Sequence, residues 1–454
     1  MGKYFGTDGI RGVVNKGLDA ELAFRTGMAA AMVLAMDKNG ERPLITIGKD
    51  TRISGDMLES ALMAGLCSAG ADVMLLGVVP TPAVAYITRE AHADAGVVIS
   101  ASHNPYEHNG IKIFNGQGFK LSDALEAQIE ELIDDPERLV PKTHGELGRV
   151  LRRGREYVDM YIRHVVDAAD GTMKRMRVLI DCANGAASRT AGEIFSRFPL
   201  DLEIIKDHPD GVNINDGCGS THVSRLGALV VAGGYDLGIA FDGDADRCMA
   251  VDETGAVVDG DKIMAICGAA MKAKGKLNHD TIVATVMSNM GFHEYCRNQG
   301  MNVVCTSVGD RNVLEKMLEC GYGLGGEQSG HLIFLSDATT GDGQLAAVKF
   351  LRVISESGRK LSELVADIKP YPQLLVNIPI EGGNAVKDAL MADVQVLAAV
   401  REESESLGSA GRVLVRASGT EALIRVMVEA NSDELASAAA DKLTKVIKYR
   451  MKSL

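Results

Sequence analysis

Three times over, this chain sets out three short apolar runs, and the first run of each set leads through a polar turn into a stretch of helical pattern. This repetition limits the folds open to it. The runs lie at 44–48, 73–76 and 96–99, again at 178–181, 202–205 and 237–241, and again at 282–284, 303–305 and 322–325. The helical stretches are 56–69, 186–198 and 290–299. Strands of this length alternating with helices imply mostly parallel sheets. At 454 residues the chain is too long for one core. The reading is α/β, with three similar mixed α/β domains around a central cleft. From about Pro370 the pattern changes to strand 374–378, helix 385–402, strands 412–416 and 423–429, and helix 435–451. That is a smaller C-terminal α+β domain. Seams near Leu151, Gly255 and Pro370 divide the chain into 1–150, 151–255, 256–369 and 370–454.

In each of the three units the most distinctive loop follows the third run. These loops carry Ser102-His103, Asp242-Gly243-Asp244 and Glu327-Gln328-Ser329. Open α/β sheets bind ligands at the carboxyl ends of their strands, so equivalent loops in three similar domains can face one cleft. In the first loop the apolar run stops at Ser100-Ala101-Ser102-His103-Asn104-Pro105. Pro105 forbids a continuing central strand, and Asn109-Gly110 reads as a second turn. Ser100 or Ser102, with His103 and Lys112 close in sequence, is a candidate nucleophile with proton-handling neighbours. A polar loop that merely caps a strand is the plainer alternative.

Asp242, Asp244 and Asp246 crowd three carboxylates into five residues. At an effective dielectric near 20, each close pair costs on the order of 4 kcal/mol at about 4 Å. A divalent cation relieves that repulsion; otherwise protons must bind. An extended strand would hold the outer two about 13 Å apart, so the segment must curl, which Gly243 and Ala245 permit. With Glu253 the spacing imitates a calcium-binding EF-hand loop. Arg247 stands where glycine is needed, however, and the flanks look like strands, so that reading is rejected. A solvated acidic turn is the bland alternative. Gly321, Gly323 and Gly326 match a dinucleotide fingerprint in form, but a strand pattern follows at 332–335 instead of a helix, which argues against such a cofactor. Near the C-terminus, Arg416-Ala417-Ser418-Gly419-Thr420 and Arg425 combine arginine forks with hydroxyls and a glycine turn. Such groups can cradle a phosphate dianion. The alternative is a hairpin turn with paired surface charges.

Composition narrows the partners. A net charge of −13 argues against general nucleic-acid binding, which wants a basic face. Any phosphate site must be locally basic. No run is long enough to span a bilayer and no signal peptide is seen, so no membrane partner is expected. Eight cysteines without a C-x-x-C pair suggest reduced core residues and a cytoplasmic setting.

Ser-Ala-Ser-His-Asn-Pro-Tyr-x-x-Asn-Gly-Ile-Lys at 100–112 resembles the phosphoserine loop of the α-D-phosphohexomutases. The resemblance implies that Ser102, directly before His-Asn-Pro, carries the phosphoryl group. It makes Asp242-Gly243-Asp244-Ala245-Asp246-Arg247 the family's Mg²⁺ loop, with Ala245 in place of a usual glycine. The segment 325–331 is similar to the family's sugar-specificity loop, with Glu327 and Ser329 suited to vicinal sugar hydroxyls. The Ser418 segment resembles the phosphate-binding loop, with Arg416, Ser418, Gly419, Thr420 and Arg425 as contacts; Ala422 departs from a usual Glu-Pro. Gly6-Thr7-Asp8-Gly9-Ile10-Arg11-Gly12 resembles a further family segment, which puts Arg11 near the transferring phosphoryl group, with Arg247 offsetting charge as well. His103, Lys112 and His331 are the proton-transfer candidates because each adjoins a motif. The implied cofactors are Mg²⁺, phosphoserine at Ser102 and a hexose 1,6-bisphosphate as activator or intermediate. The implied partner is a small phosphosugar; a homodimer is allowed but not required. Gln328 and the Ser-Ala-Ser-His form favour glucosamine 6-phosphate and glucosamine 1-phosphate. Mannose or glucose phosphates are the alternative substrates. A non-catalytic phosphosugar sensor is the alternative of another class.

Overall fold

The computed structural model describes residues 2–6, 8–34, 42–380, 383–418 and 423–453. They form two compact units, Met1–Met287 with Asn298–Ala366, and Ser288–Arg297 with Asp367–Leu454. In the first unit the first sheet contains β1 (Phe5–Gly6), β2 (Gly9–Val13), β3 (Leu44–Lys49), β4 (Asp72–Val78), β5 (Ala95–Ile99), β6 (His108–Asn115) and β7 (Val150–Leu151). The second contains β8 (Met176–Asp181), β9 (Leu200–Ile205), β10 (Leu237–Phe241), β11 (Cys248–Asp252) and β12 (Val257–Val258). The third contains β13 (Thr281–Thr285), β14 (Asn302–Thr306), β15 (Leu324–Gly326) and β16 (Leu332–Phe334).

One arrangement recurs in all three sheets: β4-β3-β5-β6, β9-β8-β10-β11 and β14-β13-β15-β16. The first three strands of each set are parallel, and the fourth returns antiparallel to the third. The sheets are therefore mixed where mostly parallel ones were expected. The returning strand is what closes each distinctive loop into a hairpin. All five residues of β5 are buried. Withdrawing a Val or Ile side chain from water is worth about 1.5–3 kcal/mol, so Val97, Val98 and Ile99 pin the strand end from which the Ser102 loop departs.

Four local expectations need correction. Asn109 and Gly110 lie inside β6 and do not form a turn. A Cβ at Gly110 would sit 2.7 Å from the Ser100 carbonyl oxygen, so the glycine serves close strand approach. The stretch 186–198 is a 3-10 turn, Ala186–Arg189, and a short helix, Ala191–Phe195, parted at Thr190 with φ −123°. Thr190 Oγ1 bonds Gln344 there, 2.8 Å away. The strand expected at 322–325 starts only at Leu324, because Gly321 ends helix Asp310–Cys320 in the left-handed conformation. The helix expected at 385–402 is two, Gly383–Met391 and Val394–Leu407, the second capped by Asp393, whose carboxylate accepts from the N–H groups of Gln395 and Val396.

The second unit holds an antiparallel sheet of β17 (Gln373–Pro379), β18 (Gly411–Ala417) and β19 (Leu423–Ala430), with β19 central. Alternate residues Ile424, Val426, Val428 and Ala430 bury against Ala436, Ala439, Ala440 and Leu443 of helix Asp433–Met451. All eight cysteines are free thiols. No described helix is long and apolar enough to cross a membrane.

Candidate active site

The Ser102 loop begins where β5 ends. Ser100 Oγ donates to Asp50 Oδ2 at 2.6 Å and accepts the Ser102 N–H at 2.9 Å. Asp50 follows β3, and its own N–H reaches the Ile99 carbonyl at 3.1 Å. Beside it the Arg52 guanidinium is fully buried. It donates to Asp50 Oδ2 at 2.8 Å and to the carbonyls of Ser102 at 2.9 Å, Asn104 at 2.8 Å and His108 at 3.0 Å, and it also bonds the Pro105 carbonyl. Ser102 takes a left-handed conformation, φ 52°, which side chains other than glycine adopt at a cost. Ser100 is thus a brace for the loop, and Ser102 is the hydroxyl presented to its neighbours.

Those neighbours come from the β10–β11 hairpin. Ser102 Oγ donates to Asp242 Oδ2 at 2.6 Å and lies 3.3 Å from His103 Nδ1. Asp242, Asp244 and Asp246 are buried and each offers an oxygen within 4.8 Å of the others. The curl foreseen for this segment is a turn in which Ala245 N–H reaches the Asp242 carbonyl at 3.1 Å, with Ala245 itself left-handed at φ 56°. Gly243 has no room for a side chain: a Cβ would meet the Ser102 carbonyl oxygen at 2.5 Å. Thr81, at the start of helix Thr81–Glu90, holds Asp244 twice, through its N–H at 2.9 Å and its hydroxyl at 2.7 Å. Asp244 Oδ1 and Asp246 Oδ1 are buried without a hydrogen-bond partner. An all-oxygen, acidic, partly unsatisfied pocket of this kind fits a hard divalent cation.

Charge around the triad is arranged in alternation. Lys112 Nζ lies 3.0 Å from Asp244 Oδ2 and 3.0 Å from Asp8 Oδ2. Lys120 Nζ bridges Asp8 at 2.5 Å and Asp310 at 2.7 Å. Asp310 Oδ2 lies 3.5 Å from His331 Nε2, and His331 Nδ1 lies 3.6 Å from Asp246. Arg11 pairs with Asp8, and Arg247 Nε stands 3.9 Å from both Asp242 and Asp246. Burial alone would lower the Lys112 ammonium, but Asp244, Asp8 and Asp246 hold it well above its ordinary value. As long as no divalent ion lies beside these carboxylates, Lys112 is held as a cation among them. Burial, followed by the charges of Asp246 and Asp244, pushes the Asp242 carboxyl well up. Burial opposes ionisation of Asp246 too, yet the hydrogen bond and charge of His331, with Lys112 and Arg247, hold it down. Burial, then Arg247 and Arg11, lower the His103 imidazole to about 4, so it is neutral near pH 7. His331 Nε2 lies 3.0 Å from the Gly341 nitrogen, and Nδ1 faces Asp246.

The third loop closes on the second. Arg247 and His331 pair as a β-bridge, and Cys248 N–H reaches the Gly330 carbonyl at 2.9 Å. Glu327 is half-buried, with Oε1 held by the Gly309 N–H at 3.1 Å, and Ser329 is exposed. The Gln328 amide is engaged by Asp259 at 3.2 Å and is not presented as a free sugar contact. In the second unit Arg416 and Arg425 are directly opposed on β18 and β19, and the buried Ser418 bonds Leu423 through its N–H. Like charges placed opposite each other repel; burial and Arg425 lower the Arg416 guanidinium accordingly. Gly419 and Thr420 lie outside the described residues.

Sequence reasoning missed Asp8, Asp50, Arg52, Thr81, Lys120 and Asp310. Of these, Asp50 and Arg52 could have been flagged, because they directly follow the first strand of a unit, at the same sheet end as Ser102. Asp8 lies in the 6–12 segment, three residues before Arg11; Thr81, Lys120 and Asp310 reach the site from places no local pattern marks.

Comparison with known proteins agrees with this architecture. Family models described as phosphoglucomutase/phosphomannomutase match as domain I at residues 2–139, domain II at 155–255, domain III at 259–371 and the C-terminal domain at 375–446. A phosphoglucosamine mutase of Acetivibrio thermocellus is 50% identical over 452 residues, covering 99% of this chain and 100% of that one. A phosphoglucosamine mutase of Bacillus subtilis is 48% identical over 455 residues, covering 99% of each. Among solved structures, a phosphoglucomutase/phosphomannomutase family protein of Burkholderia thailandensis superposes with a TM-score of 0.83 at 23% identity, covering 98% of this chain and 97% of that one. An Aspergillus fumigatus N-acetylphosphoglucosamine mutase, in complex with GlcNAc-6P and magnesium, does so with a TM-score of 0.70 at 18% identity, covering 98% and 95%. With four domain matches in order and half its residues shared along its whole length, the chain belongs to the phosphoglucomutase/phosphomannomutase family of α-D-phosphohexomutases, on its phosphoglucosamine mutase branch.

Proposed function

We propose that this chain is a phosphoglucosamine mutase, interconverting glucosamine 6-phosphate and glucosamine 1-phosphate through phosphoserine at Ser102. The observation that carries the reading is the 2.6 Å contact of Ser102 Oγ with Asp242 inside the buried triad, in a chain half identical to curated phosphoglucosamine mutases. Asp242, Asp244, Asp246 and the Ser102 oxygen would hold Mg²⁺, which when bound draws negative charge from the phosphoryl oxygens.

Phosphorylated Ser102 gives its phosphoryl group to one sugar oxygen. The bond from phosphorus to Ser102 Oγ breaks as the bond to the sugar oxygen forms, and the sugar hydroxyl loses its proton. The resulting hexose 1,6-bisphosphate turns over, and its other phosphoryl group returns to Ser102, so one phosphoryl group is exchanged and none is consumed. Such transfer relies on positioning and on charge. Lys112, Arg11 and Arg247 supply fixed positive charge. His103, neutral and 3.3 Å from Ser102 Oγ, and His331 are the groups placed to take or return a proton. Glu327 and Ser329 would receive the sugar hydroxyls. Arg416, Ser418, Gly419, Thr420 and Arg425 make up the element suited to the phosphate that is not reacting.

The test is turnover of glucosamine, mannose and glucose phosphates side by side, with and without Mg²⁺, for the wild type and Ser102→Ala. Glucosamine phosphate should be preferred, and activity should vanish on chelation and in the variant. Preference for mannose or glucose overturns the substrate, and full activity of Ser102→Ala overturns the mechanism. Intact mass before and after incubation with a hexose 1,6-bisphosphate should show one phosphoryl group at Ser102.

A further inference from the structure

The segment Asn213-Ile214-Asn215 lies between β9 and β10, and nothing in the chemistry above uses it. Its loop is nonetheless tied to the end of β8. Asp181 accepts the N–H of Ala183 through one oxygen, at 2.8 Å, and that of Gly219 through the other, at 2.9 Å. Asn215 N–H reaches the Ala183 carbonyl at 2.9 Å. Thus anchored, the buried Asn215 side chain crosses to the first domain's loop. Its Nδ2 donates to the Ser102 carbonyl at 2.9 Å and to the Asn104 carbonyl at 3.0 Å.

Arg52 Nη2 donates to those same two oxygens, at 2.9 Å and 2.8 Å. Two carbonyls sharing the same two donors must converge, and converging carbonyl dipoles repel. Each carbonyl oxygen has two lone pairs, and here one faces each donor. Gly243 seals the arrangement: a Cβ there would meet the Ser102 oxygen at 2.5 Å and Asn215 Nδ2 at 2.9 Å. The peptide that follows Ser102 is thus held from both sides while Ser102 itself is left-handed.

We propose that Asn215 is a positioning residue for the phosphoryl-carrying serine: with Arg52 it clamps the converged carbonyls of Ser102 and Asn104, so that the second domain fixes the direction of Ser102 Oγ. The inference rests on the reading of Ser102 as nucleophile given above. It assigns to the second domain a role separate from supplying carboxylates.

Asn215 is left-handed, φ 60°, so Asn215→Gly keeps the backbone and deletes only the amide. Asn215→Asp keeps the shape but turns an oxygen toward two carbonyl oxygens. If the donor matters, Asp is the worse replacement, although it is isosteric. If the side chain only fills space, Gly is worse. Misplacing reacting groups by about 1 Å costs roughly 100-fold in rate. The expected loss in kcat is about that size for Asn215→Asp and about 10-fold for Asn215→Gly. KM for the phosphosugar and the rise in Tm produced by Mg²⁺ should stay at wild-type values in the glycine variant. Wild-type kcat in both variants, a reversed order, or a parallel fall of kcat, Tm and phosphosugar binding in the glycine variant overturns the clamp. Wild type and Ser102→Ala are run alongside. An active Ser102→Ala would bring down the nucleophile reading and this inference together, whereas an inactive one with unaffected Asn215 variants would bring down the clamp alone.

Discussion

Asp342→Asn should make the protein more stable, and more so as the pH rises. Asp342 caps helix Gly343–Ser357 and is 2% exposed. Its Oδ1 accepts the Leu345 N–H at 3.0 Å, and the Tyr161 hydroxyl lies 3.1 and 3.0 Å from its two oxygens. The nearby Asp246 charge adds repulsion. Burial dominates, outweighs these hydrogen bonds and raises the carboxyl from 3.8 to about 6. A raised folded value means that the folded state holds the proton more tightly. The stability this contributes is fully present below about pH 4 and is lost as pH climbs through about 6. A shift of about two units corresponds to about 3 kcal/mol. Asparagine imitates the protonated acid: its oxygen can accept from Leu345 and its amide can donate to Tyr161. The variant should therefore match wild type near pH 4, exceed it by about 1.5 kcal/mol at pH 5 and by about 3 kcal/mol at pH 8. Hydrogen exchange of the amides of helix Gly343–Ser357, compared between the two proteins across that range, reads the difference where it arises. Parallel curves, or a wild type more protected at pH 8, would refute the burial argument.

Other outcomes follow from close approach and from charge. Gly243→Ala should reduce turnover by about 100-fold or more, because its new methyl must displace the Ser102 carbonyl; a steady-state assay showing near-normal kcat would contradict this. Lys120→Met leaves Asp8 and Asp310 facing each other with less compensation. These side chains are only partly buried, so the loss should be about 1–3 kcal/mol, which urea denaturation should register, with Lys120→Arg losing much less. Arg416→Met should raise KM for the phosphosugar at least about 10-fold while kcat changes little, since charge-assisted forks to phosphate are strong; an unchanged KM would remove Arg416 from the phosphate element.

Much of the site could be read locally because its chemistry is written in short strings at strand ends. Ser102-His103 and Asp242 to Asp246 sit on loops bounded by apolar runs, and those runs are the buried strands β5 and β10. The shared position of the three loops was legible for the same reason: each unit places its loop between the third and fourth strands. What stayed hidden depends on distance along the chain. Lys120 and Asp310 are 190 residues apart, and Asn215 and Ser102 are 113 apart. Their partnership comes from packing, which leaves no periodic mark. Arg52 could be flagged by its place after the first strand, but its role could not, since a buried arginine serving carbonyl oxygens has the same sequence appearance as a solvated one. Asn109-Gly110 misled because a glycine needed for close strand approach looks like a glycine needed for a turn.

The alternating ring around the triad has an electrical consequence. Among the described residues, Asp8, Asp244, Asp246 and Asp310 face four permanent cations (Arg11, Lys112, Lys120 and Arg247), and Asp242, whose ionisation burial opposes, leaves the two sets close to balance. A phosphoryl group on Ser102 adds about 1.5 to 2 negative charges, and a divalent ion adds nearly the opposite amount. Either arriving alone would unbalance the enclosure; arriving together they leave it almost as they found it. Metal affinity and the phosphorylation of Ser102 should therefore rise and fall as one quantity.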